Sequence, residues 1–260
     1  MRQSWGDFLR GAGPSAHGVQ IYSEPAELAD SVAAYVAAGF ERDDPAVLVV
    51  TPSNLELVGE RLESRGWGLR EAETAGLLHV ADAEQTLDGL IDAEGAVDGR
   101  FDGVVEELLD RVEQNGRPAR VFGEMVDLLN RRGHLRTAIE LEQRWNALAA
   151  KRRFALLCGY QLEVFASDSQ RDTLPHICRT HSHVLPARNY ARFARSVDEA
   201  LREVLGPNKA ATVYVLVSRT APENHVPLAQ QILMWVTENL PQQSSQILAV
   251  ARAHYVRPTA

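Results

Sequence analysis

The sequence predicts an α/β protein: a mostly parallel, five-stranded sheet with helices on both faces, followed by a small helical module. Three observations predict it. Short apolar runs bounded by turn residues recur through the first 160 residues, such as AVLVVT at 46–51 between Pro45 and Pro52. Continuous runs of this kind suit strands buried on both faces, the condition of a parallel sheet. Amphipathic helical stretches alternate with them, as βαβ units require. Beyond about residue 190 the alternation stops and helical spacing takes over.

Taken in order, residues 1–16 read as a flexible leader. Trp5, Phe8 and Leu9 can form one amphipathic turn, but Gly11, Gly13 and Pro14 stop it. The first strand is VQIY at 19–22. Ser23, Glu24, Pro25 and Glu27 then supply helix-start chemistry: a capping hydroxyl, an early proline and first-turn acids. That helix runs to about residue 38, with Gly39 as its stop. The second strand, 46–51, precedes a helix over about 53–65 that carries Leu55, Val58 and Leu62 at helical spacing. The third strand is LLHVA at 77–81, ending at Asp82. Helices follow over roughly 83–91 and 101–115, the second with Phe101, Val105, Leu108 and Val112 on one side. The fourth strand, 119–122, runs into Gly123, Glu124 and Met125. The long helical segment after it is jogged at Gly133, and its second half sets Ala138, Leu141, Trp145 and Leu148 on one stripe. The fifth strand is FALLCGY at 154–160.

In the tail, a helix over 191–205 is closed by Gly206 and Pro207. Residues 208–219 leave two readings open. VYVLV at 213–217 has strand composition, whereas the flanking helices and prolines favour a helix. Two more helices are expected at about 225–239 and 242–255. The resulting organisation is a leader (1–16), an α/β domain (17–187) and a helical module (188–260).

Composition narrows the function classes. The 260 residues are 45% hydrophobic and 24% charged, as expected of a folded globular chain. A net charge of −8 argues against a general nucleic-acid binder, which needs clustered Lys and Arg to neutralise phosphates. No apolar run reaches bilayer length, the first residues lack the apolar core of a signal peptide, and the two cysteines, Cys158 and Cys178, frame no disulfide scaffold. A cytoplasmic protein without a membrane partner is expected.

The turn after the first strand decides whether the fold grips nucleotides. Phosphate-binding loops need glycines and a lysine there. This chain offers Tyr22-Ser23-Glu24-Pro25-Ala26-Glu27, where two carboxylates would repel a phosphate. The dinucleotide fingerprint GxGxxG is also absent. No enzyme activity and no cofactor are expected.

Several spaced blocks nevertheless resemble one family. HGVQIYSEPAELADSVAAYVAAGF, AVLVVTPSNLELVGERLESRG, GRPARVFGEMVDLLNRRGHLRTAIELEQRWNAL and FALLCGYQLEVF look like the MEDS domain, named for methanogen and methylotroph sensory proteins. The resemblance spans about residues 17–185. It implies a core similar to RecA and KaiC-type ATPases that has lost its phosphate loop, and it implies sensing of small molecules such as simple hydrocarbon derivatives. The family's members are often joined to kinase or transcription modules; this chain shows no kinase or helix-turn-helix signature, so a partner histidine kinase, sigma-factor circuit or transcription regulator is expected. The family-typical positions carried over by motif are His17 and Tyr22, Gly123-Glu124-Met125, Glu142 and Trp145, and Cys158 and Tyr160.

Read physically, ligands of open parallel sheets bind outside the carboxyl ends of the strands. That places Tyr22, Ser23, Thr51, Asp82, Glu124 and Tyr160 around one crevice. Glu124 stands out, because an unpaired carboxylate ending an apolar strand is costly; a helix cap or structural salt bridge is the competing role. His17, five residues before Tyr22, is roughly 16 Å from the crevice along an extended strand and is read as structural. Trp145 is read as core. His176, Cys178, His181 and His183 carry metal-ligand chemistry, with Cys178 and His181 on one helix face, but match no standard zinc spacing, so no metal is expected there. Arg188, Arg192 and Arg195 form a basic helical face, and the apolar last helices suit a bundle or a homodimer surface. Three readings follow: a non-catalytic sensor, a divergent nucleotide- or metal-dependent enzyme, or an interaction scaffold without ligand.

Overall fold

Five strands build the sheet of the first of two compact units: β1 (His17–Tyr22), β2 (Ala46–Val50), β3 (Leu78–Asp82), β4 (Ala119–Gly123) and β5 (Phe154–Gln161). In this computed structural model, which describes residues 5–91, 97, 99–112, 116–220 and 226–257, they lie in the order β3-β2-β4-β5-β1 with every neighbouring pair parallel. Residues 1–4, 113–115 and 225 of the segments expected above lie outside the described residues. The expected α/β class and all five expected strands are present.

The strand order locates the place a ligand would use. From β2 the chain moves outward to β3, whereas from β4 it moves the other way to β5. The topological switch point therefore falls between β2 and β4, and its crevice opens at their carboxyl ends.

Side-chain alternation divides the core. One face carries Ala46, Leu48, Val50, Phe122, Ala155 and Leu157, covered by α2 (Pro25–Phe40), α3 (Pro52–Glu63) and α4 (Leu69–Thr74). The other carries Phe154, Leu156, Cys158 and Tyr160. There α8 (Leu135–Ala149) inserts Trp145, whose ring meets Phe154 at 5.9 Å and Phe101 of α6 (Phe101–Asp110) at 5.2 Å. Two shorter helices complete this part of the chain, α5 (Ala83–Asp88) and α7 (Met125–Arg131). The expected jog between α7 and α8 sits at Gly133, whose φ of +80° is the left-handed conformation that glycine adopts without penalty.

The amino-terminal segment differs from the flexible leader expected. Residues 5–11 form helix α1 (Trp5–Gly11). Phe8 is fully buried, stacked between Trp5 (5.1 Å) and Tyr35 (5.8 Å) over Gly18. Arg120 of β4 reaches across to donate to the carbonyls of Leu9 (2.7 Å), Arg10 (3.0 Å) and Tyr35 (2.8 Å). A single aromatic plus a clasp on two exposed carbonyls holds a helix too short to form alone.

The division into compact units falls after Gln161, whereas sequence grammar suggested 187. The second unit contains a π-helical turn (Ser169–Thr173), α9 (Leu174–Thr180), β6 (His183–Leu185), α10 (Tyr190–Leu205), α11 (Pro207–Thr220), α12 (Leu228–Asn239) and α13 (Pro241–Val256). Phe193, Val197, Leu201, Ile232, Leu233, Ile247 and Leu248 form its core. The open question over 208–219 is answered by α11. Val213 and Val217 are buried and Val215 and Leu216 exposed, a period of four rather than two. The three-residue β6 is a strand beyond the five expected. Among the described residues no helix is long and apolar enough to cross a membrane.

Candidate functional site

Glu124 follows β4 directly and continues its ladder, its N–H donating to the Val49 carbonyl at 3.0 Å. Its side chain turns across the switch point to β2. There it accepts the Thr51 N–H at 2.6 Å and the side-chain amide of Asn54. Thr51 is the N-cap residue of α3, and its own side chain makes no capping bond. Glu124 thus supplies, from another strand, the negative charge that a helix N-terminus favours. The residue is 1% exposed. Burial raises its pKa above the usual carboxylate range, and the bonds from Thr51 and Asn54 draw it back.

One helical turn on, Asp127 of α7 is equally buried. One oxygen accepts the Gln161 N–H at 2.9 Å; the other accepts the Tyr22 hydroxyl at 3.2 Å and pairs with Arg131 at 3.1 Å. Burial raises the Asp127 carboxyl, with Gln161, Arg131 and Tyr22 opposing. Burial, then the charge of Asp127, raises the Tyr22 phenol.

The structure therefore brings Tyr22, Thr51 and Glu124 to one edge and adds Asn54, Asp127, Arg131 and Gln161, which sequence reasoning missed. For Asp127 a signal existed, an acid three residues after Glu124 on the same helix start. Ser23 is adjacent and exposed, its carbonyl accepting from the Gln161 side chain at 3.2 Å. Asp82 ends β3 but turns to cap α5, accepting the Gln85 N–H at 2.9 Å. Tyr160 lies on the opposite face from Tyr22. It pairs in register with Ile21, so alternation points it to α8.

On that face a second set converges. His17 Nδ1 lies 3.0 Å from Asn146 Oδ1, and His17 Nε2 lies 3.2 Å from Glu142 Oε2 and 3.3 Å from Cys158 Sγ. Cys158 Sγ is 3.8 Å from Glu142 Oε2, and the Tyr160 hydroxyl donates to Glu142 Oε1 at 3.0 Å. All four of His17, Glu142, Cys158 and Tyr160 are buried. Burial, then Glu142, raises both the thiol and the phenol well above their ordinary values. His17 thus partners α8 and β5. Trp145 is core, as its ring contacts show, and Met125 is buried beside Gly123.

In the second unit α9 ends at Thr180 and His181 is extended, so the helical face expected to join Cys178 and His181 is not formed. His176 Nδ1 is 2.9 Å from Arg179, His181 Nδ1 is 2.7 Å from the Ile177 carbonyl, and His183 Nδ1 is 3.0 Å from Ser182. The Cys178 thiol is pushed up to about 12 by burial. Arg192 lies over the Tyr255 ring at 5.7 Å, and Arg202 pairs with Asp198. A groove of 760 Å3 is lined by Pro175, Val217, Met234 and Trp235, with Arg171 and Arg179 among its polar walls.

Fold and edge together define an open parallel α/β protein in which the N-terminus of α3, beside the switch point, is met by the chain's own Glu124 carboxylate. Residues 16–182 match the family described as the methanogen/methylotroph, DcmR sensory domain (MEDS), and the chain belongs to that family of sensory domains. No curated protein matches the chain.

Proposed function

We propose that this chain is a non-catalytic sensor that binds a small ligand, in the class of simple hydrocarbon derivatives, at the carboxyl edge of the sheet. It relays occupancy to a histidine kinase, a sigma-factor circuit or a transcription regulator. The observation that carries this reading is the Glu124 carboxylate seated on the α3 N-terminus. The α3 N-terminus beside the switch point is already met by an anion of the chain itself, so a second anion is opposed there, and the turn after β1, where a phosphate loop would lie, carries Glu24 and Glu27 with no glycine or lysine. A neutral or cationic molecule with hydrogen-bond donors meets a favourable edge of two carboxylates, Glu124 and Asp127, beside the Tyr22 hydroxyl. The family's sensory role supports the same direction.

The test is a ligand-observed NMR screen of small alcohols, amines and halogenated hydrocarbons against the full chain and Glu124→Gln, with ATP turnover measured in parallel. Glutamine keeps the shape while removing the charge. Binding lost or weakened about tenfold in the variant is expected, since a hydrogen bond to a charged group contributes about 1.5–3 kcal/mol. Binding unchanged in the variant, or turnover of ATP, overturns the reading.

One observation favours an interaction scaffold instead: the groove in the helical unit, apolar with arginines in its wall. A screen with no small-molecule hit, together with capture of an acidic signalling partner lost in Trp235→Ala, would select that reading.

A further inference from the structure

We propose that His17 Nε2, Glu142 Oε2 and Cys158 Sγ are three ligands of a buried transition-metal site, best matched to zinc. Their mutual separations are 3.2, 3.3 and 3.8 Å. Tetrahedral bonds of about 2.0–2.3 Å to nitrogen, oxygen and sulfur hold neighbouring ligand atoms roughly 3.3–3.8 Å apart, so the three atoms already stand close to the spacing an ion imposes. A mixed imidazole, carboxylate and thiolate set suits zinc and disfavours magnesium and calcium, which take oxygen ligands.

The surrounding groups orient each ligand as an ion requires. Asn146 Oδ1 lies 3.0 Å from His17 Nδ1, so it takes the ring N–H there and leaves the Nε2 lone pair facing Glu142 and Cys158. The Tyr160 hydroxyl occupies Glu142 Oε1 and leaves Oε2 toward the other two ligands. Partners of this kind, donating to or accepting from the far side of each ligand, are what hold metal-binding side chains in place. Charge points the same way. A buried carboxylate beside a thiolate carries two negative charges that a divalent cation cancels, and the cation makes the thiolate accessible by displacing its proton to solvent. The three ligands come from β1, α8 and β5, so an ion here would tie two neighbouring strands and the covering helix together. The site is separate from the carboxyl edge and does not depend on the sensing role proposed for Glu124.

Protons alone offer the competing account, with an imidazolium paired to Glu142 and a thiol beside it. Cobalt(II) substitution distinguishes the two. The full chain, purified under reducing conditions and stripped with chelator, is titrated with Co2+ and then Zn2+. The expected result is about one ion per chain, a near-ultraviolet thiolate-to-cobalt band, and displacement by zinc. Cys158→Ser should lose the band, Cys178→Ser should keep it, and Asn146→Ala should weaken binding about 10–100-fold, as losses behind a ligand do. Circular dichroism confirms that each variant is folded, and Glu124→Gln should retain the ion, separating this site from the edge. A folded wild-type chain with no thiolate band, or a band that survives in Cys158→Ser, overturns the proposal.

Discussion

Phe8→Ala and Gly18→Ala together test whether the amino-terminal helix is docked as a fitted part of the first unit. The Phe8 ring is fully buried and sandwiched by Trp5 and Tyr35, and phenylalanine truncations in packed cores cost about 3–5 kcal/mol. We expect the lower end, about 3 kcal/mol, because α1 can partly collapse onto the gap. At about 2–4 °C per kcal/mol for a chain of this size, that is roughly a 6–12 °C fall in Tm. Gly18 is where the ring rests: a Cβ added there would overlap it. Gly18→Ala alone should therefore cost about 1–3 kcal/mol through overpacking. In the double variant the overlap vanishes and the new methyl fills part of the void, so the pair should be more stable than the sum of its singles by about 1–2 kcal/mol. Urea titrations of the four proteins, followed by circular dichroism, measure the cycle. Additivity within about 0.5 kcal/mol, or a Phe8→Ala cost below about 1 kcal/mol, would refute the docking argument.

Two further outcomes follow from buried charge. Arg120→Met strips the hydrogen bonds from the Leu9, Arg10 and Tyr35 carbonyls and should cost about 3 kcal/mol. Arg120→Lys should recover part of it, and a methionine cost below about 1 kcal/mol in urea melts contradicts the clasp. Glu124 and Asp127 both titrate above their ordinary range when folded, so the native state holds their protons longer than the unfolded chain. Their contribution is complete below the ordinary carboxylate pKa of about 4 and is lost as pH rises through the raised values. Wild type should therefore lose stability relative to Glu124→Gln as pH climbs above about 4 through the raised range. Urea midpoints compared across that range check it, and a pH-independent difference sinks it.

The strands were legible because buried parallel strands are written as apolar runs between turn residues, and β2 shows it most plainly. The amino-terminal helix was not, because its glycines signal a stop while the force holding it comes from Tyr35 and Arg120, far along the chain. Strand composition in α11 misleads for a related reason: which valines face the core is set by tertiary packing. At the edge, Glu124 was visible as a carboxylate that an apolar strand would not carry without a partner. Asp127 could have been found as a second acid one turn after Glu124, but its apolar neighbours in α7 read as core. Tyr160 was grouped with Tyr22 by its position at a strand end, and only register shows the two facing opposite ways. The meeting of His17 with Cys158 spans 141 residues and no local pattern announces it.

Gln161 is the last residue of the first compact unit. Its N–H is held by Asp127 and its side chain by the Ser23 carbonyl. The doorway through which the polypeptide leaves the sheet is thus latched by the same carboxylate that receives Tyr22. A molecule that pulled Asp127 aside would release the backbone N–H of the residue at which the first unit ends.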